Sequence, residues 1–192
     1  TVTTENGIEI TAETFTYNKL TSLLESKGNV ILHDKIKNIT IKSQQIFYLK
    51  NKELVYTSGK SKATSGEEIE INSNEFFKYD KLSSTLIAKG NVIITERIKN
   101  IILESEEAFY FQNEDKFTTL GITKVNINSE YFIDTQDLVF LRENMFLSSK
   151  YKTTITDTQD NFYKLNSFNY LINKKILKGS KVEIITNYQE KK

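Results

Sequence analysis

The sequence predicts an all-β protein made of antiparallel strands, and three observations support this fold class. Apolar and polar residues alternate almost everywhere, as in Ile8-Glu9-Ile10, Ile69-Glu70-Ile71 and Val125-Asn126-Ile127. This period of two is typical of strands with one buried face and one wet face. Thr, Ile, Val, Tyr and Phe, which strands favour, are abundant throughout. No segment has a convincing helical period, and Glu104–Phe111, the best candidate, fits a strand equally well.

One long segment of the chain occurs twice. Residues 13–48 align with residues 75–110 without a gap at an offset of 62, and 19 of the 36 paired positions are identical. A third, worn copy is visible at Phe168-x-Tyr170, Leu177, Gly179 and Val182-x-Ile184. Repeats at a fixed spacing usually reflect one supersecondary unit that stacks on copies of itself and buries a continuous core. We therefore expect one elongated domain over residues 1–192, with repeats at about 8–66 and 70–128 and a degenerate repeat at 129–186.

Turn residues divide the chain into strands in order. The first strand is predicted at Gly7–Tyr17, and turns are predicted at Lys27-Gly28-Asn29 and Lys89-Gly90-Asn91. Residues 57–68 are the most loop-like segment and join the two clear repeats. Residues 148–163 are expected to form a hairpin around an Asp-Asn turn.

The strand after each Gly-Asn pair indicates which side chains face the core. The matching apolar pairs are Val30 and Leu32, Val92 and Ile94, and Val182 and Ile184. In the worn copy the residue between the two apolar positions is Glu183, so the apolar pair is expected to point inward in every copy. A slip of one residue would expose all of these side chains together, so the register is well specified.

Composition and charge narrow the functional classes. Lys plus Arg number 26 and Asp plus Glu number 25, for a net charge of +1. Nucleic-acid binding is not expected, because it normally needs a clustered basic face. The chain has no cysteine, which rules out disulfides and thiolate metal sites. No stretch approaches the ~20 apolar residues of a membrane-spanning helix, and the start at Thr1 indicates a mature form or an excised fragment.

Catalytic chemistry has little support in the sequence. The single histidine, His33, has Thr95 as its counterpart in the second copy, so we expect it to be a solvent-facing strand residue. The carboxylates Asp34 and Glu96 are expected on solvated surface, without the spacing of a calcium loop. Catalytic serine, phosphate-loop and zinc motifs are absent. We therefore expect no enzyme, no cofactor and no metal site.

The inward apolar and aromatic stripe is the remaining candidate for function. Most of its residues must form a core in any β protein, but an open repeat of two sheets would also leave a long apolar trough at its mouth. Such a trough suits an acyl chain, since lipid tails need only apolar contact, worth ~0.8 kcal/mol per buried CH₂ group. The predicted lining residues are Phe15, Tyr17, Val30, Leu32, Ile39, Ile41, Phe77, Tyr79, Val92, Ile94, Ile101, Leu103, Phe109, Val125, Ile127, Phe168, Tyr170, Val182 and Ile184.

The motif within the repeat resembles the OstA-type repeat of the lipopolysaccharide-transport proteins LptA, LptC and the amino-terminal periplasmic region of LptD. Its most specific part is Leu-x-x-x-Gly-Asn-Val, which begins at Leu24 and again at Leu86, and the resemblance covers residues 8–186 approximately. It implies an open twisted antiparallel β-jellyroll in the periplasm whose inner face carries the acyl chains of lipopolysaccharide. It also implies that members join end to end by strand pairing at their open edges.

Within this family, residues 147–179 favour LptD, because they look like the stretch that precedes the outer-membrane barrel there. That likeness predicts a domain that receives lipopolysaccharide from an LptA-like bridge protein and passes it to the barrel and an LptE-like lipoprotein at the outer membrane. The lack of cysteine departs from well-known LptD proteins, in which cysteines tie this domain to the barrel. An LptA-type bridge protein is the alternative within the family, and a β-solenoid structural or adhesin module is the alternative from another class.

The amino-terminal strand is the predicted docking edge. An open jellyroll ends in strands whose backbone groups lack partners, and such strands aggregate or recruit another strand. The first predicted strand alternates cleanly and contains no proline, so a partner strand would continue the sheet and the trough. The residues predicted to form this edge are Ile8, Glu9, Ile10 and Thr11.

Overall fold

The computed structural model describes residues 1–187 of the chain and confirms the all-β class. The only helical elements among these residues are 3-10 turns at Lys50–Lys52, Gln112–Glu114 and Ile172–Lys174, and none of them is long or apolar enough to cross a membrane. The strands are β1 Val2–Thr3, β2 Ile8–Thr11, β3 Thr14–Asn18, β4 Leu23–Asp34, β5 Ile39–Leu49, β6 Leu54–Thr57, β7 Ser61–Ser65, β8 Ile69–Ser73, β9 Phe76–Asp80, β10 Thr85–Glu96, β11 Ile101–Phe111, β12 Lys116–Ile127, β13 Tyr131–Gln136, β14 Val139–Leu141, β15 Phe146–Ser149, β16 Thr153–Asp157, β17 Phe162–Leu165, β18 Ser167–Leu171, β19 Ile176–Ser180 and β20 Glu183–Ile185.

All of these strands belong to one antiparallel sheet through which the chain runs back and forth. The long strands β4, β5, β10, β11 and β12 cross its full width. Elsewhere two short strands in succession cover the same width. For example, β4 pairs with β3 through Leu23–Lys27 and with β2 through Ile31–Asp34. The predicted first strand at Gly7–Tyr17 is therefore two strands, which pair with opposite halves of β4.

The sheet is folded along its middle, and we call its two halves wing 1 and wing 2. Wing 1 holds β1, β2, β7, β8, β13, β16, β17 and β20, with the adjoining halves of the long strands. Wing 2 holds β3, β6, β9, β14, β15, β18 and β19 with the other halves. Because Tyr79 of wing 2 donates a hydrogen bond of 3.0 Å to Asp34 of wing 1, the inner faces are turned toward each other.

The Gly-Asn pairs produce the fold line and are not turns. Gly28-Asn29 and Gly90-Asn91 lie inside the continuous strands β4 and β10, where the pairing register shifts. Their φ angles are +81° and +45° in the first pair and +87° and +45° in the second. A bulge with residues at positive φ bends a strand without ending it. The prediction of turns at these positions was wrong, because Gly and Asn favour positive φ in bulges and in hairpin turns alike.

Replacing Gly90 with alanine will destabilise the fold more than the same change at Gly121. Both glycines have strongly positive φ, which costs an L-residue about 1 kcal/mol. A Cβ at Gly90 would also lie 2.9 Å from the backbone nitrogen of Glu75, whereas a Cβ at Gly121 meets nothing within 4 Å. We expect a loss of about 2–4 kcal/mol for Gly90→Ala and about 1 kcal/mol for Gly121→Ala in urea unfolding. Equal losses would show that the contact with Glu75 relaxes freely.

The predicted alternation places one continuous apolar row across the inner face of each wing. In wing 1, directly opposed residues form the row Val2, Ile10, Leu32, Ile41, Ala63, Ile71, Ile94, Leu103, Val125, Ile133, Ile155, Tyr163 and Ile184. In wing 2 the row is Tyr17, Leu24, Tyr48, Val55, Tyr79, Leu86, Tyr110, Phe117, Phe140, Leu147, Tyr170 and Leu177. Opposed apolar pairs each contribute roughly 0.2–1 kcal/mol, so these rows fix the strand register.

The third repeat has a different register from the one predicted. Tyr170 in β18 pairs with Leu147 and Leu177, as Tyr110 in β11 pairs with Leu86 and Phe117, so Tyr170 corresponds to Tyr110. The Phe168-x-Tyr170 pair was predicted to correspond to Phe77-x-Tyr79. The error arose because Tyr79 and Tyr110 are both buried on the same inner row, so a Phe-x-Tyr pattern alone did not show which of the two strands it matched.

This correction also changes the residues predicted to face inward near the end of the chain. The counterpart of Ile94 is Ile155, which lies between Ile133 and Tyr163 in the wing 1 row. Val182 lies between strands β19 and β20 and is exposed. Ile184 does lie on the inner row, opposite Tyr163, but it is 58% exposed because no further described strand covers it.

Candidate functional site

The interior between the wings is the candidate functional site, and along the first two repeats it is filled. Large side chains of the wing 2 row pack on one another along it: the ring centroids of Tyr110 and Phe117 are 4.4 Å apart, and those of Phe117 and Phe140 are 6.1 Å apart. The predicted lining residues that lie buried in this core are Val30, Leu32, Ile39, Ile41, Phe77, Tyr79, Val92, Ile94, Ile101, Leu103, Val125, Ile127, Phe168 and Tyr170. The expected trough is therefore closed along this length in this structure, and an acyl chain would reach these side chains only where the wings move apart.

Two other predicted lining residues lie at the amino-terminal end of the core, and one lies outside it. Phe15 is half-buried against the core. Tyr17 is the first residue of the wing 2 row and is largely exposed, since β3 is the last described strand at that end of wing 2. Phe109 points outward, because its neighbours Ala108 and Tyr110 are the buried positions of β11. The prediction that Phe109 lines the interior was wrong, since the bulge at 105–107 shifts the parity of β11.

Polar contacts join the outer ends of the two wings, and we call this line of contacts the seam. At its amino-terminal end, Asn6 of wing 1 donates a hydrogen bond of 3.1 Å to the Tyr48 hydroxyl of wing 2. Asn6 also contacts Glu53 and accepts a hydrogen bond from Lys81, which is only 8% exposed. Burial raises the pKa of Tyr48 to about 12, with Glu53 adding to the shift, so its hydroxyl keeps its proton.

Asp34 is the next seam residue. Its carboxylate accepts hydrogen bonds of 3.0 Å from the backbone N–H groups of Ile36 and Lys37 and from the hydroxyl of Tyr79. Burial and the Asp34 charge raise the pKa of Tyr79 above its ordinary value, so it remains a donor. Asp34 and its counterpart Glu96 are fully buried, which corrects the prediction that they lie on solvated surface. Each closes a turn with its own side chain, a role that the sequence pattern did not reveal.

Arg142 links both wings in the second repeat. Its Nε lies 2.8 Å from both carboxylate oxygens of Asp115 in wing 2, and its guanidinium bonds to Glu68 in wing 1. The same guanidinium is 3.8 Å from the buried carboxylate of Glu96. Charge-assisted hydrogen bonds of this kind are stronger than those between neutral groups. The prediction omitted Arg142, although it is one of only two arginines in the chain.

Gln112 supplies a further cross-seam contact. Its side-chain amide donates to the backbone carbonyl of Lys37 and, at 3.3 Å, to the hydroxyl of Ser65. These partners belong to wing 1, whereas Gln112 follows β11 in wing 2. The sequence offered no signal for this pairing, because it joins turns of different repeats.

The seam is much weaker in the third repeat. Among the described residues of this repeat, the two wings are joined by the ion pair of Lys175 and Glu130. The Lys175 Nζ atom lies 3.3 Å from the Glu130 Oε2 atom. The Lys175 side chain is 67% exposed, and an exposed pair of this kind contributes about 0–1 kcal/mol. The wings are therefore held less firmly here than at Lys81 or Arg142.

An apolar cavity of about 160 Å³ lies inside the third repeat. The rings of Tyr131 and Tyr170 meet edge to face in its wall, with centroids 6.0 Å apart. Its lining residues are Tyr131, Ile133, Ile155, Tyr163, Tyr170, Lys175 and Leu177. Both inner rows thus continue into an unfilled space near the carboxy-terminal end.

The predicted docking edge lies inside the sheet. β2 is flanked by β1 on one side and by β4 on the other, and both Ile8 and Ile10 are fully buried. Ile8, Glu9, Ile10 and Thr11 therefore do not form the edge, because the chain before them folds back as β1. Within residues 1–187, four strands at the ends of the sheet pair on one side alone. They are β1 and β3 at the amino-terminal end, and β19 and β20 at the carboxy-terminal end.

The remaining candidate residue, His33, lies on the outer surface, away from the interior. His33 lies on the outer face of wing 1, where its Nδ1 is 3.0 Å from the hydroxyl of Thr40. In the part of the chain that the structure describes, no three His, Cys, Asp or Glu side chains are grouped to hold a metal ion.

Comparison with known proteins gave one kind of match. No protein-family model matches the chain, and no curated protein sequence matches it. Among solved structures, the chain is similar to LptH, the LptA-homologous periplasmic component of the conserved lipopolysaccharide transport device of Pseudomonas aeruginosa. The alignment covers 96% of this chain and 97% of LptH, at 8% sequence identity and a TM-score of 0.28.

Proposed function

We propose that this chain is a periplasmic lipopolysaccharide-transport domain of the LptA type, in which the wings move apart and take acyl chains between their apolar rows. The observation that carries the proposal is the pair of apolar rows, which run without interruption from one end of the described sheet to the other. The repeat motif beginning at Leu24 and Leu86 supports it, through the resemblance to the OstA-type repeat. An acyl chain needs such a continuous apolar surface, since each buried CH₂ group contributes only ~0.8 kcal/mol.

The LptA-type bridge role has better support than the LptD role. The LptD prediction treated residues 147–179 as a stretch that follows the repeats. In the structure these residues form β15–β19, which continue both wings as a third repeat. Transfer to an outer-membrane barrel and an LptE-like lipoprotein, and association with the outer membrane, remain predictions of the family resemblance.

Partner docking belongs to this proposal, at different strands from those predicted. β3 and β19 are the end strands of wing 2, and each has a pairing partner on one side among residues 1–187. A strand of an LptA-like partner added there would continue the inner row beyond Tyr17 or Leu177. The affinity would come from main-chain hydrogen bonds, and the shared apolar row would provide a path between the two proteins.

The alternative of a β-solenoid does not fit the observed topology. Solenoids stack parallel coils, whereas every pairing in residues 1–187 is antiparallel and joins strands of a meander. A structural or adhesin module with another topology keeps one supporting observation, the filled interior of the first two repeats. The test of transport must therefore distinguish a path from a core.

Photo-crosslinking during lipopolysaccharide transport will distinguish them. A small aliphatic diazirine residue at Leu103, which is buried in the wing 1 row, should capture lipopolysaccharide. The same residue at Glu104, which points outward, is the matched control and should not. Capture at neither position, in a chain that circular dichroism shows to be folded, would contradict the proposal and favour a structural module. Equal capture at both would also contradict it.

A further inference from the structure

The seam has an opening in the third repeat. A gap of about 360 Å³ separates the wing 1 turns at 98–100 and 128–130 from the wing 2 turn at 170–175. Its walls include Ile98 and Ile172, which are apolar, and Asn128, which is exposed. In the first two repeats the corresponding region is occupied by contacts of Asn6 and Arg142. We call this opening the side portal.

The side portal adjoins the apolar cavity of the third repeat. Tyr170 and Lys175 line both spaces, so they form the boundary between the portal and the cavity. The ring of Tyr170 packs on Tyr131 inside, whereas the Lys175 ammonium group lies at the surface. A ligand that enters here therefore passes from a polar rim to an apolar interior.

The charges at the rim favour an anion. Lys99 and Lys175 line the portal and Glu130 is its one carboxylate, so these residues sum to a charge of +1. Glu130 already pairs with Lys175, but the two side chains are 46% and 67% exposed, and an anionic group can displace a partner in such a solvated pair. Apart from Lys175, the residues that line the cavity are aromatic or aliphatic, and none of them is a carboxylate.

We propose that the side portal and the cavity behind it form a binding site for a single-chain amphiphile with an anionic headgroup. The alkyl chain runs from the portal past Tyr170 and ends in the cavity against Ile133 and Ile155, and the headgroup lies at the rim against Lys99 and Lys175. The site rests on the proposed function, because it gives one acyl chain of a lipid a sideways entry to the interior. It differs from end-to-end transfer in that no partner strand is needed.

The purified domain tests this proposal by calorimetric titration with dodecyl phosphate below its micellar concentration. Dodecyl maltoside supplies the same chain with a neutral headgroup, and inorganic phosphate supplies the headgroup chemistry without a chain. We expect dodecyl phosphate to bind more tightly than dodecyl maltoside and inorganic phosphate not to bind. Binding of inorganic phosphate as tight as that of dodecyl phosphate would overturn the proposal.

Two variants with one control locate the site. Lys175→Glu should weaken dodecyl phosphate binding about 5- to 10-fold and leave dodecyl maltoside binding unchanged. Leu177→Trp, which fills the cavity from its half-buried edge, should weaken both amphiphiles. Lys42→Glu changes a lysine on the outer face of wing 1 and should alter neither. Unchanged dodecyl phosphate binding in both site variants, with unfolding midpoints near that of the wild type, would overturn the proposal.

The outcome separates this site from the transport proposal. Failure of dodecyl phosphate to bind, with lipopolysaccharide still captured at Leu103, would reject the side portal alone. Binding of dodecyl phosphate that depends on Lys175, without capture at Leu103, would support the portal and reject transport through the first two repeats.

Discussion

Replacing Leu32 with aspartate will largely unfold the domain, whereas the same substitution at the adjacent Ile31 will have little effect. Leu32 is fully buried in the wing 1 row, with Ile10 on one side and Ile41 on the other. No polar partner stands opposite it in either neighbouring strand. A buried charge without a partner costs several kcal/mol, so the introduced group must protonate or the wing must open.

The matched control uses the alternation of the same strand. Ile31 is 39% exposed on the outer face and stands opposite Lys42 in β5. An aspartate there stays hydrated and faces a cation, which contributes a few tenths of a kcal/mol at most. We expect the urea midpoint of Ile31→Asp to remain close to that of the wild type. Equal destabilisation by both substitutions would contradict the assignment of the inner face.

The loss of stability in Leu32→Asp should depend on pH. Burial raises the folded-state pKa of the new aspartate above its unfolded value of about 3.9. The unfolded state then releases its proton first, so the free energy of unfolding falls as pH rises from about 4 through the folded-state pKa, by up to ~1.4 kcal/mol per pH unit. Urea unfolding at pH 4 and pH 7 measures this difference relative to the wild type. A constant difference between variant and wild type would indicate that the carboxylate reaches water.

The strands and their inner faces could be predicted because they depend on local alternation. Burial at Leu32 and Ile94 follows from a period of two, which each strand carries in its own residues. The bend at Gly28 was mistaken for a turn, since positive φ alone does not say whether the chain continues in the same strand. The third repeat was placed in the wrong register because Tyr170 and Tyr79 occupy the same inner row.

The seam and the end strands could not be predicted because they depend on contacts between distant parts of the chain. Arg142 reaches Glu68 across 74 residues, and neither residue carries a local pattern that indicates the other. The predicted edge at Ile8 became internal because Val2 and Thr3 form a short strand outside it. A strand of two residues is too short to leave a periodic signal. Candidate lining residues followed from alternation, but whether the interior is filled depends on side-chain volumes from both wings.

Replacing Phe117 with alanine will remove a central side chain from the filled interior of the first two repeats and destabilise the fold. Phe117 is fully buried in the wing 2 row, with Tyr110 on one side and Phe140 on the other. Loss of the ring gives up its apolar burial and leaves a cavity that stacked neighbours cannot readily close, at a cost of about 3–5 kcal/mol. Phe132→Ala is the control, because Phe132 is 44% exposed on the outer face of wing 1. Urea unfolding of both variants should show a large loss of stability for Phe117→Ala and a loss of less than about 1 kcal/mol for Phe132→Ala.

If the Phe117→Ala variant stays folded, its dry cavity should bind xenon or benzene. A loss below about 1 kcal/mol for Phe117→Ala would mean that the first two repeats are loosely packed and already open to a ligand.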